Sequence, residues 1–326
     1  MARIKSWTAK KLSYAGRAQL IKTVLFGVQS YWAQLFIIPA KIIKVIEGIC
    51  RSYLWSGVGE VTKKALIAWE KVCCPKSEGG IGLINLKIWN RAAIAKLCWD
   101  LANKEDKLWI KWIHTYYIKG QREWQRRKQA SWMIQKIMSA QQNVEQGQQL
   151  QMKNKGVIRQ LYEHMKGEQQ KPVWRCLMFN NVARPKAYFT MWIMLNQRLV
   201  TVDRLARWGI EVEKICVMCK NEEETAEHLF LQCDYARRIW ERLLSSMEKQ
   251  TEVPLTWEQF VQWCIIHGKG KRPAAQMFKA ILAEGIYGLW MERNSRIFEH
   301  KSRNEEQIVK EISYTTIVRT QHMVVK

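Results

Sequence analysis

Apolar positions recur at helical spacing over residues 10–38, where Leu12, Ala15, Leu20, Val24, Val28 and Trp32 form one stripe. Pro39 should stop that helix, because it offers no N–H and clashes with the preceding turn. A second helix is expected over 42–55, ended by Gly57 and Gly59. Residues 65–73 set Leu66, Ile67, Trp69 and Val72 ahead of Pro75 and read as an extended segment. Ser77-Glu78-Gly79-Gly80, followed by Gly82, reads as a turn. Asn85 is placed to cap a helix carrying Trp89, Ala92, Ala93, Leu97 and Leu101. Trp109, Trp112, Ile113 and Tyr116 mark another amphipathic helix.

Past a Gln-rich stretch at 141–156 the helical pattern returns. Residues 187–199 place Tyr188, Trp192 and Leu195 on one side. Thr201 can cap a short helix over 202–208 that Gly209 ends. Further helices are expected over 235–244, over 273–298 behind Pro273, and over 304–324. No internal repeat is visible, and the expected fold class is mainly α. The Gln-rich stretch lacks the large apolar groups a core needs. It suggests a division into 1–140, a linker at 141–172, a domain at 173–250 and a C-terminal helical region at 251–326.

Composition narrows the function. The chain has 326 residues, is 48% hydrophobic, and carries 53 Lys plus Arg against 29 Asp plus Glu, a formal charge of +24. Such a charge repels itself unless an anionic partner offsets it, and nucleic acid is the commonest. Seventeen Trp and ten Tyr accompany the basic residues, a mixture suited to phosphate neutralisation and base stacking, although most tryptophans should be core anchors. The densest basic run is Arg122-Glu123-Trp124-Gln125-Arg126-Arg127-Lys128. Arg122, Arg126, Arg127, Lys128, Lys269, Lys271 and Arg272 are the candidate phosphate contacts, though a charged run also suits a plain solvated face. The apolar stretch 20–39 is broken by Lys22, Gln29 and Gln34, so it reads as a buried helix rather than a membrane span. A polar, basic N-terminus without an apolar segment argues for an intracellular protein of the nucleus or cytoplasm, not a secreted one.

Nine cysteines in a reducing compartment point to metal before disulfide. Cys216 and Cys219 are separated by two residues, eight residues lead to His228, and four more to Cys233. A C-x2-C pair makes a knuckle whose thiolates face one ion, and the nearby His and Cys complete a tetrahedral set of three sulfurs and one nitrogen. That donor set suits one structural zinc and leaves no open position for catalysis. Glu222, Glu223, Glu224 and Glu227 lie in the intervening loop and read as a solvated acidic stretch, with support of the metal ligands as the alternative. Cys264 with His267 lacks a second pair, and Cys73 beside Cys74 is poorly placed for one ion. The expected architecture is a helical N-terminal segment plus a helical domain with a small zinc-binding module.

No enzyme motif accompanies this. The four aspartates are Asp100, Asp106, Asp203 and Asp234, with no Asp-Asp pair. There is no G-x-S-x-G, H-E-x-x-H or phosphate-binding G-x-x-x-x-G-K.

Three blocks nevertheless follow one another in a familiar order. The first contains Leu12-Ser13-Tyr14-Ala15-Gly16-Arg17, Leu20-Ile21-Lys22, Pro39 and Arg51-Ser52-Tyr53-Leu54-Trp55. The second contains Ala68-Trp69-Glu70-Lys71-Val72-Cys73, Pro75-Lys76, Gly79-Gly80 and Leu83-Ile84-Asn85-Leu86. The third runs through Arg184-Pro185-Lys186, Trp192, Leu199, Thr201, Asp203-Arg204-Leu205 and Trp208-Gly209 to the Cys216–Cys233 cluster, with Trp290-Met291-Glu292-Arg293-Asn294 and Phe298 beyond. Together they resemble the C-terminal part of the reverse transcriptase of plant non-LTR (LINE-type) retrotransposons. The resemblance implies a thumb-like and connecting helical region followed by a reverse-transcriptase zinc-binding domain that grips RNA or DNA. It also implies that the polymerase palm and an endonuclease lie upstream, so the expected function is a zinc- and nucleic-acid-binding remnant without catalysis. A zinc-stapled interaction or structural module is the alternative, and association in trans with an intact reverse transcriptase a third reading. No membrane partner is expected.

Overall fold

A computed structural model describes residues 12–58, 60–62, 64–118, 130–141, 156–245, 247 and 253–324. Helix α1 (Tyr14–Leu20) passes through a π-helical turn at Ile21–Leu25 into α2 (Phe26–Leu35), and Pro39 precedes α3 (Ala40–Ser56), which ends on Gly57 in the left-handed region. Trp69–Val72 forms a single helical turn, α4, followed by a 3-10 turn at Lys76–Glu78. The extended reading of 65–73 is therefore corrected. Ala68 accepts from the N–H groups of Lys71 and Val72, so the apolar cluster is buried from a helical turn. The remaining helices are α5 (Leu86–Ala102), α6 (Leu108–Ile113, continuing as a π turn to Ile118), α7 (Trp132–Ser139), α8 (Val157–Lys166), α9 (Arg175–Met178), α10 (Pro185–Leu195), α11 (Val202–Arg207), α12 (Asp234–Ser245), α13 (Trp257–Gly268), α14 (Pro273–Phe298) and α15 (Glu305–Val324). Among the described residues there is no strand, only an isolated antiparallel bridge between Ile215 and Glu223. No described helix is long and apolar enough to cross a membrane.

The chain divides into two compact units. One is drawn from Arg17–Lys63 and Gly82–Gln170. Its centre is α5, capped as expected by the Asn85 side chain, which accepts from the Ile88 N–H. Helices α2, α3, α7 and α8 pack around it. Cys98, Leu101, Ile110, Ile113, Ile137 and Leu161 are buried in one core. Asn90, also buried, donates to the Ala33 and Phe36 carbonyls and accepts from the Ile38 N–H, tying off the end of α2. Only one side of α2 is covered: Phe26 and Ala33 are buried, whereas Val28, Tyr31, Trp32 and Leu35 are exposed. This corrects the reading of residues 20–39 as a buried helix. Helix α8 lies within the stretch read as a linker, and residues 142–155 of that stretch fall outside the described residues.

The second unit contains Lys64–Ile81 and Lys171–Lys326. Helix α14 is its axis, with α10, α12, α13 and α15 packed on it. Trp240 of α12 lies against Gly285 of α14, where a Cβ would stand 2.5 Å from the indole ring. The Gly79-Gly80 turn is also a close approach: a Cβ on Gly80 would meet the Cys74 carbonyl oxygen at 2.0 Å, and the Gly79 carbonyl accepts from the Trp192 indole.

Three buried glutamates cross-link this unit. Glu284 accepts from the backbone and guanidinium of Arg184. Glu292 holds Arg296 and Arg303, and Glu224 holds Arg293. None of these carboxylates reaches water, so each requires its ion pair and hydrogen bonds to offset desolvation.

Candidate metal centre

Residues 214–224 fold back on themselves as a tight hairpin. The Cys216 N–H donates to the Glu222 carbonyl and the Glu224 N–H to the Lys214 carbonyl. Its tip is the knuckle. The Lys220 N–H closes it onto the Cys216 carbonyl, and Lys220 takes a positive φ of 61°. The backbone N–H groups of Met218 and Cys219 point at the Cys216 sulfur, as a thiolate requires.

The other two ligands come from a π-helical turn at His228–Gln232. The Cys233 N–H donates to the His228 carbonyl at 2.7 Å, a bond spanning five residues. An α-helix would turn side chains five residues apart by about 140° from one another. The wider π turn returns them to one side, and such turns concentrate at functional sites. Cys233 then starts α12. Its carbonyl accepts from the Arg237 N–H and its sulfur from the Ala236 N–H, so the thiolate sits at a helix N-terminus.

Ligand atoms of Cys216, Cys219, His228 and Cys233 all lie within 4.8 Å of one another. The Cys219 sulfur is 3.2 Å from His228 Nε2. Four donors around a tetrahedral zinc stand about 3.5–3.8 Å apart, so this set fits the ion with small adjustments. The Cys219 contact makes Nε2 the ring nitrogen offered to a metal, while His228 Nδ1 is buried without a hydrogen bond, 3.7 Å from the Glu222 carboxylate. The hydrogen bond from Cys233 draws the Cys216 thiol well below its ordinary range, and the same bond pushes Cys233 up. Cys216, His228 and Cys233 are buried. With four protein donors the set is closed, which suits a structural rather than a catalytic ion.

The acidic loop is not simply solvated. Glu222 and Glu223 are exposed, but Glu224 is 1% exposed and its carboxylate accepts three bonds from the Arg293 guanidinium. The same carboxylate accepts from the Val202 N–H, capping α11. Thr201, expected as that cap, makes no side-chain bond to the helix backbone, and its hydroxyl donates to Asp203 instead. Glu227 accepts from the Trp257 N–H at the start of α13. Arg296 lies over the Tyr235 ring and donates to the Met218 carbonyl inside the knuckle. Helix α14 thus clasps the centre through Arg293 and Arg296, residues whose roles no local spacing revealed.

Among the other candidates, Cys264 is buried and the His267 ring packs between Trp263 and Phe278. No second group of three or more ligating side chains stands among the described residues. Lys269, Lys271 and Arg272 are exposed in the turn before α14. Arg122, Arg126, Arg127 and Lys128 lie outside the described residues.

Residues 157–240 match the family described as zinc-binding in reverse transcriptase, a span that holds all four ligating side chains. The donor set and this match point to a single zinc site. The chain thus carries a zinc-binding domain of reverse-transcriptase type. Over 120 residues it is 35% identical to an Arabidopsis thaliana protein whose name is that of a ribonuclease H protein. The alignment covers 37% of this chain and 19% of that relative.

Proposed function

We propose that this chain is a zinc-stabilised nucleic-acid-binding protein derived from a LINE-type retrotransposon of plants, acting by binding rather than by catalysis. The reading rests on a closed Cys3His centre inside a segment that matches the zinc-binding region of reverse transcriptases. The +24 charge supports it, since RNA or DNA offsets such a charge, and so does a relative named for a ribonuclease. Zinc here is structural: it closes the hairpin onto α12 and holds a basic surface in shape. Lys269, Lys271 and Arg272, with Arg122, Arg126, Arg127 and Lys128, are proposed to neutralise phosphates. The proposed setting is intracellular, alone or beside an intact reverse transcriptase.

Filter binding of RNA and single-stranded DNA across a salt series tests the reading. The logarithm of affinity should fall steeply with the logarithm of salt. A flat response would overturn nucleic-acid binding. Metal analysis of purified protein should give one zinc per chain, lost in Cys216→Ser.

A further inference from the structure

The turn between α10 and α11 builds a second feature beside the zinc module. Helix α10 ends in a Schellman arrangement: the Gln197 N–H donates to the Met194 carbonyl and the Arg198 N–H to the Ile193 carbonyl. Glycine is usual at the left-handed position of this motif, yet here Gln197 takes it with φ 53°. The turn is held by Arg204, whose guanidinium donates to the Gln197 and Leu199 carbonyls while lying over the Trp208 ring. Arg198 is thereby presented outward, and its side chain has no partner among the described residues.

This turn walls a pocket of about 310 Å³ whose lining includes Arg198, Arg204, Arg207, Asp203, Glu227 and Trp257. That volume is at the small end for ligand sites and is of the size of one nucleotide unit. Both lining carboxylates are already engaged. Asp203 accepts from Thr201 and pairs with Arg207, and Glu227 accepts from the Trp257 N–H. Three guanidiniums against two carboxylates leave a single excess positive charge, the complement of one phosphodiester. The crowding is felt within the cluster. Burial, and then the neighbouring Arg198 and Arg207, lower the Arg204 pKa. An anion would relieve this. Asn196 adds an acceptor: its amide nitrogen donates to the Trp192 carbonyl, leaving a buried Oδ1 without a hydrogen bond. A sugar hydroxyl or base amino group could satisfy it.

We propose that this pocket is a subsite for single-stranded nucleic acid, in which Arg198 and Arg207 hold one backbone phosphate and Trp257 stacks the adjoining base. The proposal deepens the nucleic-acid reading above and rests on it. Arg204 acts as a positioning residue that fixes the turn. The partner is single-stranded because a base in a duplex presents no free face to an aromatic ring.

Fluorescence anisotropy with labelled single-stranded RNA and DNA oligonucleotides, on the full zinc-loaded chain at several salt concentrations, tests it. Arg198→Ala should weaken binding about tenfold, since a charged hydrogen bond is lost. The single-strand salt slope should become shallower by about 0.7, the equivalent of one phosphate. Arg207→Ala should do the same, and the double variant should cost little more than either, because both residues serve one phosphate. Trp257→Leu should weaken binding by about tenfold without changing the slope. Arg319→Ala, on the exposed side of α15, controls for loss of charge alone. If wild-type protein binds with a steep salt dependence but Arg198→Ala and Arg207→Ala match Arg319→Ala, the pocket is not a subsite and the nucleic-acid reading stands. If wild-type protein shows no salt-dependent binding, both fall together.

Discussion

Glu224 joins three parts of the second unit that are distant in sequence. Its carboxylate meets Arg293 on α14 and the first N–H of α11, while its own backbone closes the knuckle hairpin. With the carboxylate fully buried and the Arg293 side chain 4% exposed, breaking the pair leaves an uncompensated charge. Glu224→Leu and Arg293→Met should each cost about 3–5 kcal/mol in urea unfolding of the zinc-loaded protein. The double variant should cost clearly less than the sum, although the Val202 N–H would still lose its acceptor at about 1–3 kcal/mol. Additive losses would show that the two charges act independently. Glu292 makes a pH prediction. Burial pushes its carboxyl up, but the Arg303 N–H and the Arg296 and Arg303 guanidiniums outweigh that and hold it below the ordinary carboxylate range. A depressed carboxylate stabilises the fold above its unfolded pKa, about 4.3, and that contribution is lost as pH falls through the lower folded value. Melting curves of wild type and Glu292→Gln should therefore differ at neutral pH and converge in acid. A gap that stays constant down to that range would contradict the assignment.

Between elements, α12 packs on α14 at Gly285 with no room for a side chain. Trp240 is fixed by its indole N–H donating to the buried Phe230 carbonyl, so it cannot swing away from Gly285. Gly285→Ala would gain about 1 kcal/mol of helix propensity. The clash should cost more than that, for a net loss of about 1–2 kcal/mol in denaturant melts. A stabilised variant would mean that α12 can shift on α14. Nothing near Gly285 in sequence announces this role, because Trp240 is far along the chain. Helix ends were legible for the opposite reason: Pro39, Asn85, Gly209 and Pro273 act on their own turn, and each marks the boundary of a helix. The metal cluster was legible because its four members fall within eighteen positions and share a chemistry. The short α4 was not, since Leu66, Ile67, Trp69 and Val72 satisfy either period equally well over so few residues. Glu224 was misread for want of its partner, Arg293, 69 positions away. The exposed side of α2 was misread because an apolar stripe shows which residues can be buried, not whether anything covers them.

At the scale of the whole molecule, the question is how far the ion's stabilisation reaches. A structural zinc in a small module contributes about 10–16 kcal/mol of folding free energy, more than most domains possess in total. The π turn is anchored by buried Leu229, Phe230 and Leu231, but the knuckle hairpin holds little apolar surface of its own and depends on that ion. Helix α14 does not: Phe278, Ile281, Leu282 and Ile286 are buried against α10, α13 and α12. The first unit has its own core around Cys98, Leu101 and Leu161. Removing zinc with a chelator should therefore expose residues 214–224 to hydrogen exchange, while α5 and α8 keep their protection. Arg293 and Arg296 extend from α14 into the module, so the stretch of α14 around them should loosen next, ahead of its N-terminal half. Hydrogen exchange followed by peptide mass spectrometry, with and without chelator, resolves these segments. Loss of protection in both units through one transition would instead make zinc the keystone of the entire chain. Unchanged exchange at 214–224 would show that the hairpin folds without its ion.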